Sequence, residues 1–232
     1  MAKLQIFGPD IWIADGPAVT GIAGFRFPTR MAVIRLADGG LLIWSPVALS
    51  PAMKAEVEAL GPVHHIVAPN SLHYMALPEW QHAFPAAKTH VAPGLSSAAP
   101  DIVVDAELGD APPVDWAGDM DQAIIRGNTI TTEVVFFHEK SSTAIFTDLL
   151  QQFPDGWFRG WRALVAKLDL MREAEPAVPR KFRLAFRDRA AAREGIAHIL
   201  SWPAEKVLMA HGTPVMDDGR AFLERAFRWL TR

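Results

Sequence analysis

The chain has 232 residues, 50% hydrophobic and 21% charged, with a formal net charge of −3 and no cysteine. That content supports a sizeable core and argues against extended disorder, and a slightly acidic balance gives no general reason to expect nucleic acid or membrane as a partner. The lack of cysteine excludes disulfides, thiolate metal sites and cysteine nucleophiles, leaving imidazole, carboxylate and water as metal ligands.

The first fifty residues read as strands. Leu4–Phe7 and Ile11–Ala14 flank the turn Gly8-Pro9-Asp10, and Arg30–Leu36 and Leu41–Trp44 flank Asp38-Gly39-Gly40. Four strands in succession predict an antiparallel start. Ser50 then caps a helix with Pro51 at its first position and Gly61 at its end. A strand at Val63–Ala68, a short helix around Glu79–Ala83 and a strand near Thr89–Ala92 predict a parallel segment with helices packed on the sheet. Residues 95–120 read as loop with one short strand, Ile102–Val104, and further strands are expected at Asp121–Ile125, Thr131–Phe137 and Ala144–Phe146. From Phe153 to Arg193 the chain reads as a helical insertion, with Phe158, Trp161, Val165 and Leu168 on one face expected to pack on the core. A helix at Ala190–Leu200, a strand at Lys206–Met209 running into Ala210-His211-Gly212, and a closing helix at Asp217–Leu230 complete the pass. The length suits one domain, 1–232. With no signal-like start and no run of ~20 apolar residues, the chain is expected to be soluble and cytoplasmic.

Of eight histidines, His73, His138 and His211 fall where an expected strand gives way to loop, and Asp148 stands at the same kind of position. Strand ends are where side chains from distant segments converge in layered α/β proteins, and three imidazoles with one carboxylate suit Zn, Fe or Mn. Each of these residues has a blander reading, a backbone hydrogen bond for a lone histidine and a cap for Asp148. His64 and His65, adjacent in a strand, point to opposite faces and make a poor chelating pair.

Order along the chain adds to spacing. Phe137-His138, Phe146-Thr147-Asp148-Leu149-Leu150 and Val207-Leu208-Met209-Ala210-His211-Gly212 resemble the later motifs of the metallo-β-lactamase-like superfamily. The resemblance implies an α/β, four-layer αββα sandwich with the insertion around 153–193. It also implies one divalent metal at His138, Asp148 and His211 and a metal-dependent hydrolase, with His73 a further ligand only where the turn shifts by one residue. The superfamily's first motif, His-x-His-x-Asp-His, is degenerate here: Asn70, Leu72, Tyr74 and Met75 stand at its four ligand positions, and His73 falls on a spacer. Where the superfamily often has an aspartate after its fourth strand, this chain has Trp44-Ser45-Pro46. A closer resemblance, to an uncharacterised bacterial domain family, rests on Pro28-Thr29-Arg30-Met31, Ser45-Pro46, Pro69-Asn70-Ser71-Leu72-His73 with Glu79-Trp80, and Ala92-Pro93-Gly94-Leu95; it implies the fold and no substrate.

Three functional readings follow. One is an at most mononuclear metallo-hydrolase acting on a small molecule, with Asn70 or Tyr74 orienting substrate. The second is a fold relative without catalysis, and without metal, that binds a small molecule or a protein. The third is a homo-oligomer built on the Phe153–Met171 segment. The basic stretch Arg180–Arg193 could hold an anionic ligand or simply form a solvated face. No Walker loop or Gly-x-Gly-x-x-Gly is present.

Overall fold

Local sequence signals account for the first sheet. In the computed structural model, which describes residues 3–232, β1 (Gln5–Gly8), β2 (Ile11–Thr20), β3 (Arg26–Arg35) and β4 (Leu41–Trp44) pair antiparallel in chain order. The β3–β4 hairpin turns where Gly39 takes φ +87° and the Asp38 carboxylate accepts the Gly40 N–H at 2.7 Å. After β4 the pairing becomes parallel, because a helix returns the chain each time. The helix α1 (Pro51–Leu60), capped by Ser50 Oγ on Met53 N, leads to β5 (Val63–Ala68). Then α2 (Leu77–Ala83) leads to β6 (Lys88–Val91), and α3 (Leu95–Ala98) to the short edge strand β7 (Ala106–Glu107).

The second sheet holds β8 (Met120–Ile125), β9 (Glu133–His138), β10 (Thr143–Gln151) and β11 (Lys206–His211) in the order β11-β10-β9-β8. Its first three strands are antiparallel, and β11 lies parallel to β10. Between β10 and β11 come α4 (Trp161–Leu168), α5 (Arg180–Ala185) and α6 (Arg189–Ser201); α7 (Gly219–Ala226) and α8 (Arg228–Thr231) follow β11.

Alternation along the strands builds the layers. On β9, Val134 and Phe136 face the first sheet, where Leu42, Trp44 and Val67 meet them. Val135 and Phe137 face outward onto Phe182, Ile196, Ile199 and Phe222 of the helices. On the far side of the first sheet, Val33, Ile43 and Ile66 pack against Met53, Val57, Leu77 and Trp80. Three apolar cores thus separate four layers, α-β-β-α, and each large side chain in them contributes roughly 1.5–3 kcal/mol by burial. No helix among the described residues is long and apolar enough to cross a membrane.

Three expectations need correction. Ile102–Val104 is not a strand: Val103 is 70% exposed and its carbonyl accepts from Gln81 Nε2, so the edge pairing falls to Ala106–Glu107. The insertion does not present its apolar face to the core. Only Ala166 of α4 is buried, whereas Trp161, Leu164, Val165 and Leu168 are exposed. Phe158 packs before the helix begins, in a small cluster with Phe153 and Met171. Finally, β10 does not stop at Phe146 but runs on to Gln151, so Asp148 lies within the strand.

Candidate metal centre

The irregular part of β10 shapes the site. Phe146 is opposite Met209 and Gln151 is opposite His211, so five residues of β10 advance against two of β11 and residues 147–150 bulge from the ladder. A bulge leaves backbone N–H groups without ladder partners, and buried ones must be satisfied. Glu133, fully buried at the start of β9, meets the need: its carboxylate accepts from Thr147 N (2.7 Å), Asp148 N (2.9 Å) and Leu149 N (3.1 Å). Burial first, and the neighbouring Asp148 charge second, push the Glu133 pKa up to about 7 despite those bonds.

The loop after β5 meets this bulge. Pro69 carbonyl accepts from Val134 N at 2.8 Å, which sets Asn70 beside β10. Asn70 is fully buried and braces both segments. Its Nδ2 donates to Thr147 Oγ1 and Asp148 Oδ2, both at 2.8 Å, and its Oδ1 accepts from Leu72 N (2.9 Å) and His73 N (3.0 Å). The tight turn so formed turns the His73 ring toward Asp148.

His73, Asp148 and His211 converge and form a group able to hold a metal ion. His73 Nε2 stands 3.1 Å from His211 Nε2 and 3.2 Å from Asp148 Oδ2, and His211 Nε2 is 3.4 Å from Asp148 Oδ1. The far side of each ring is held by its own partner. His211 Nδ1 donates to the Pro28 carbonyl at 2.6 Å. Ser45 Oγ donates to the Arg30 carbonyl (3.2 Å) and accepts from His73 Nδ1 (2.8 Å). With both Nδ1 atoms assigned as donors from these bonds, each uncharged ring aims its Nε2 lone pair at the carboxylate and at the other lone pair. Three acceptors facing one point repel unless a cation or proton lies among them. Ligands at about 2.0–2.1 Å from a tetrahedral ion stand about 3.3 Å apart, so the observed separations and the donor types fit one such ion. A proton among them serves the same end as an ion: burial alone would raise the Asp148 carboxyl pKa, but His73 and His211, where they carry that proton, together outweigh it and hold the group well below the ordinary carboxylate range.

Surrounding residues fix this arrangement. Arg30 Nη1 donates to the carbonyls of Met209 (2.9 Å) and Gly212 (2.7 Å), tying β3 to the end of β11. Gln151 Nε2 reaches Asp148 Oδ1 at 3.3 Å. Phe27 lies 5.6 Å and Phe153 6.5 Å from the His211 ring, walling one flank with aromatic surface.

Of the residues expected at the site from sequence, three converge as ligand candidates and Asn70 braces them without being open to a substrate. His138 does not join them. Because β9 and β10 are antiparallel, His138 at the end of β9 pairs with Thr143 at the start of β10, and the regular ladder from Thr143 to Phe146 alone puts it ~10 Å from the bulge that carries Asp148, at ~3.3 Å per residue. There it is buried, bonded through Nδ1 to Ser141 Oγ at 2.7 Å, and burial pushes its pKa down to about 4. Tyr74 also departs from expectation, packing against the apolar core beneath α1 and α2. The residues that sequence reading passed over are Glu133, Gln151, Ser45, Arg30 and the Pro28 carbonyl. The last three lie in segments that carried the closer family resemblance, which was the available signal. His64 and His65 do not part to opposite faces: β5 bulges against β4 between Val63 and His65, and the two rings meet edge to face at 6.2 Å, while His65 Nδ1 meets His90 Nε2 at 3.1 Å in the interior and His64 meets Asp38 at 3.2 Å near the surface.

The fold is that of the metallo-β-lactamases. The chain is similar to the metallo-β-lactamase of Hirschia baltica (TM-score 0.64, 13% identity, 100% of this chain and 98% of that one). It is similar also to that of Erythrobacter litoralis (0.66, 11%, 99% and 96%). A third likeness is to FIM-1 of Pseudomonas aeruginosa in its mono-zinc form (0.63, 11%, 99% and 94%). Within that fold, residues 9–159 match the domain of unknown function DUF4336, and the chain belongs to this family. No curated protein matches it.

Proposed function

We propose that this protein is a metal-dependent hydrolase-like protein with a single-ion site held by His73, Asp148 and His211, acting on a small molecule. The observation that carries the reading is the convergence of two Nε2 atoms and one carboxylate at 3.1–3.4 Å, with both rings anchored through Nδ1. Zn is the ion the donor set suits best, with Fe or Mn also compatible. The mono-zinc form of FIM-1 supports one ion as a sufficient complement for the fold. When bound, a divalent ion supplies Lewis-acid chemistry toward a carbonyl group. The chain's own residues do the rest. Ser45 and Pro28 orient the imidazoles, Asn70 and Gln151 hold the Asp148 carboxylate, and Phe27 and Phe153 exclude water from the flank of His211. The reading takes the protein as cytoplasmic, a chain without cysteine having no disulfide to form.

A second reading, a binding module without turnover, is favoured by one observation. Leu72 and Met75, beside His73, are exposed apolar residues of the kind a bound partner covers.

Elemental analysis and turnover separate the two. The metal reading expects about one equivalent of zinc after reconstitution and chelator-sensitive hydrolysis of a simple aryl ester, with both lost in Asp148→Asn. A stoichiometry below roughly 0.2 equivalents in the unaltered protein overturns the metal site. Full metal content without turnover on an ester and amide panel leaves the binding module.

A further inference from the structure

The second concavity of interest lies away from the histidines. The segment 170–177 and the helices α7 and α8 enclose an open groove of about 770 Å³. Its floor is apolar, made by Leu170, Pro176, Ala177, Phe222 and Ala226, with Trp229 at one side. Four arginines line it, Arg183, Arg225, Arg228 and Arg232, against two glutamates, Glu173 and Glu175. One pair is already satisfied, since Arg225 Nη2 binds Glu175 at 2.9 Å. Arg183 is different. Its Nε donates to the Val178 carbonyl at 2.9 Å and its guanidinium lies 5.3 Å from the centre of the Trp229 ring. Among the described residues it has no carboxylate within ion-pair distance, although it is half-buried. Burial, with Arg180 as the next cause, lowers its pKa from the ordinary arginine value. A half-buried guanidinium with no carboxylate partner, on the wall of an open apolar groove, is an arrangement that an incoming anion completes.

We propose that this groove binds a small organic anion. Its phosphate or carboxylate head is held by Arg183 and Arg228, and its flat apolar body lies on the floor beside Trp229. The site accounts for part of the basic stretch that the hydrolase reading leaves unused, and none of its lining residues belongs to the His73–Asp148–His211 group.

The test is calorimetric titration of the full chain with phenyl phosphate, benzoate and inorganic phosphate. At least one of the two aryl anions is expected to bind one to one with a Kd of about 1 mM or tighter, at least tenfold more tightly than inorganic phosphate. The better of the two identifies the head group. Arg183→Gln and Arg228→Gln should each weaken it tenfold or more. Arg180→Gln, on the same helix as Arg183 but outside the groove, and Asp148→Asn should leave it unchanged. Arg228 is exposed, so its variant carries the test if Arg183→Gln fails to fold. The proposal is overturned if neither aryl anion binds below about 10 mM, if inorganic phosphate binds as well as they do, or if Arg180→Gln weakens binding as much as Arg183→Gln. Loss of binding in Asp148→Asn would place the anion at the histidine site and overturn it too.

Discussion

Removing the Ser45 hydroxyl tests how the His73 ring is held. Ser45 Oγ is 2.8 Å from His73 Nδ1, and Ser45 itself sits at φ +50°, in the left-handed region that disfavours residues with a Cβ. Loss of such a partner behind a metal-bound histidine reduces metal affinity by about 10–100-fold, or ~1.4–2.8 kcal/mol. Ser45→Ala and Ser45→Gly lose the same hydrogen bond. They differ in backbone strain, because glycine relieves a cost of ~1 kcal/mol that alanine keeps. The expectation is therefore a similar tenfold or greater loss of zinc affinity in both, measured by competition with a chromophoric chelator. Urea unfolding of the metal-free proteins should find Ser45→Gly more stable than Ser45→Ala by up to ~1 kcal/mol. Unchanged zinc affinity in both variants would refute the argument that Ser45 orients a ligand.

Three further outcomes are expected. His138 is buried with its pKa pushed down to about 4, so above pH 6.5 it is neutral in both folded and unfolded chains and adds no pH dependence. Below pH 6.5 the unfolded chain binds the proton first, and stability falls until the folded pKa is reached, by ~2.5 kcal/mol at pH 4.5. Urea midpoints of His138→Asn should accordingly decline less steeply between pH 6.5 and 4.5 than those of the unaltered protein; parallel curves would refute the assignment. Asn70→Ala leaves the N–H groups of Leu72 and His73 without their acceptor and should cost ~2–4 kcal/mol of stability together with zinc affinity. A loss under 1 kcal/mol by urea unfolding would contradict the bracing role. In α6, a Cβ on Gly195 would lie 2.5 Å from the Ile124 carbonyl oxygen. Gly195→Ala should lower stability by ~1–3 kcal/mol despite alanine's helix preference, and a raised melting temperature would show that α6 can move off β8.

How much of this was legible in the sequence depends on whether the signal was local. The hairpin at Asp38–Gly40, the Ser50 cap and the alternation in Val134–Phe137 are local, and they specify strand direction and layer without reference to distant residues. His211 and Asp148 were legible through residues beside them in sequence. His138 was misassigned because a strand-end position reveals nothing about which end of the sandwich it occupies. That depends on pairing direction, and antiparallel pairing with β10 carried it to the wrong end. His73 was ambiguous until the Asn70 turn set its orientation. Glu133 gave no local hint, since a glutamate opening a strand acquires its role only when another strand bulges against it.

By itself the sequence determined the succession of elements, the absence of thiol chemistry and the polar residues able to bind a cation, because composition and periodicity act between near neighbours. Only the tertiary structure decided which of those residues meet. Convergence at 3 to 4 Å depends on strand register, a bulge and carbonyls up to 183 residues distant, and no pattern along the chain encodes the sum of those displacements.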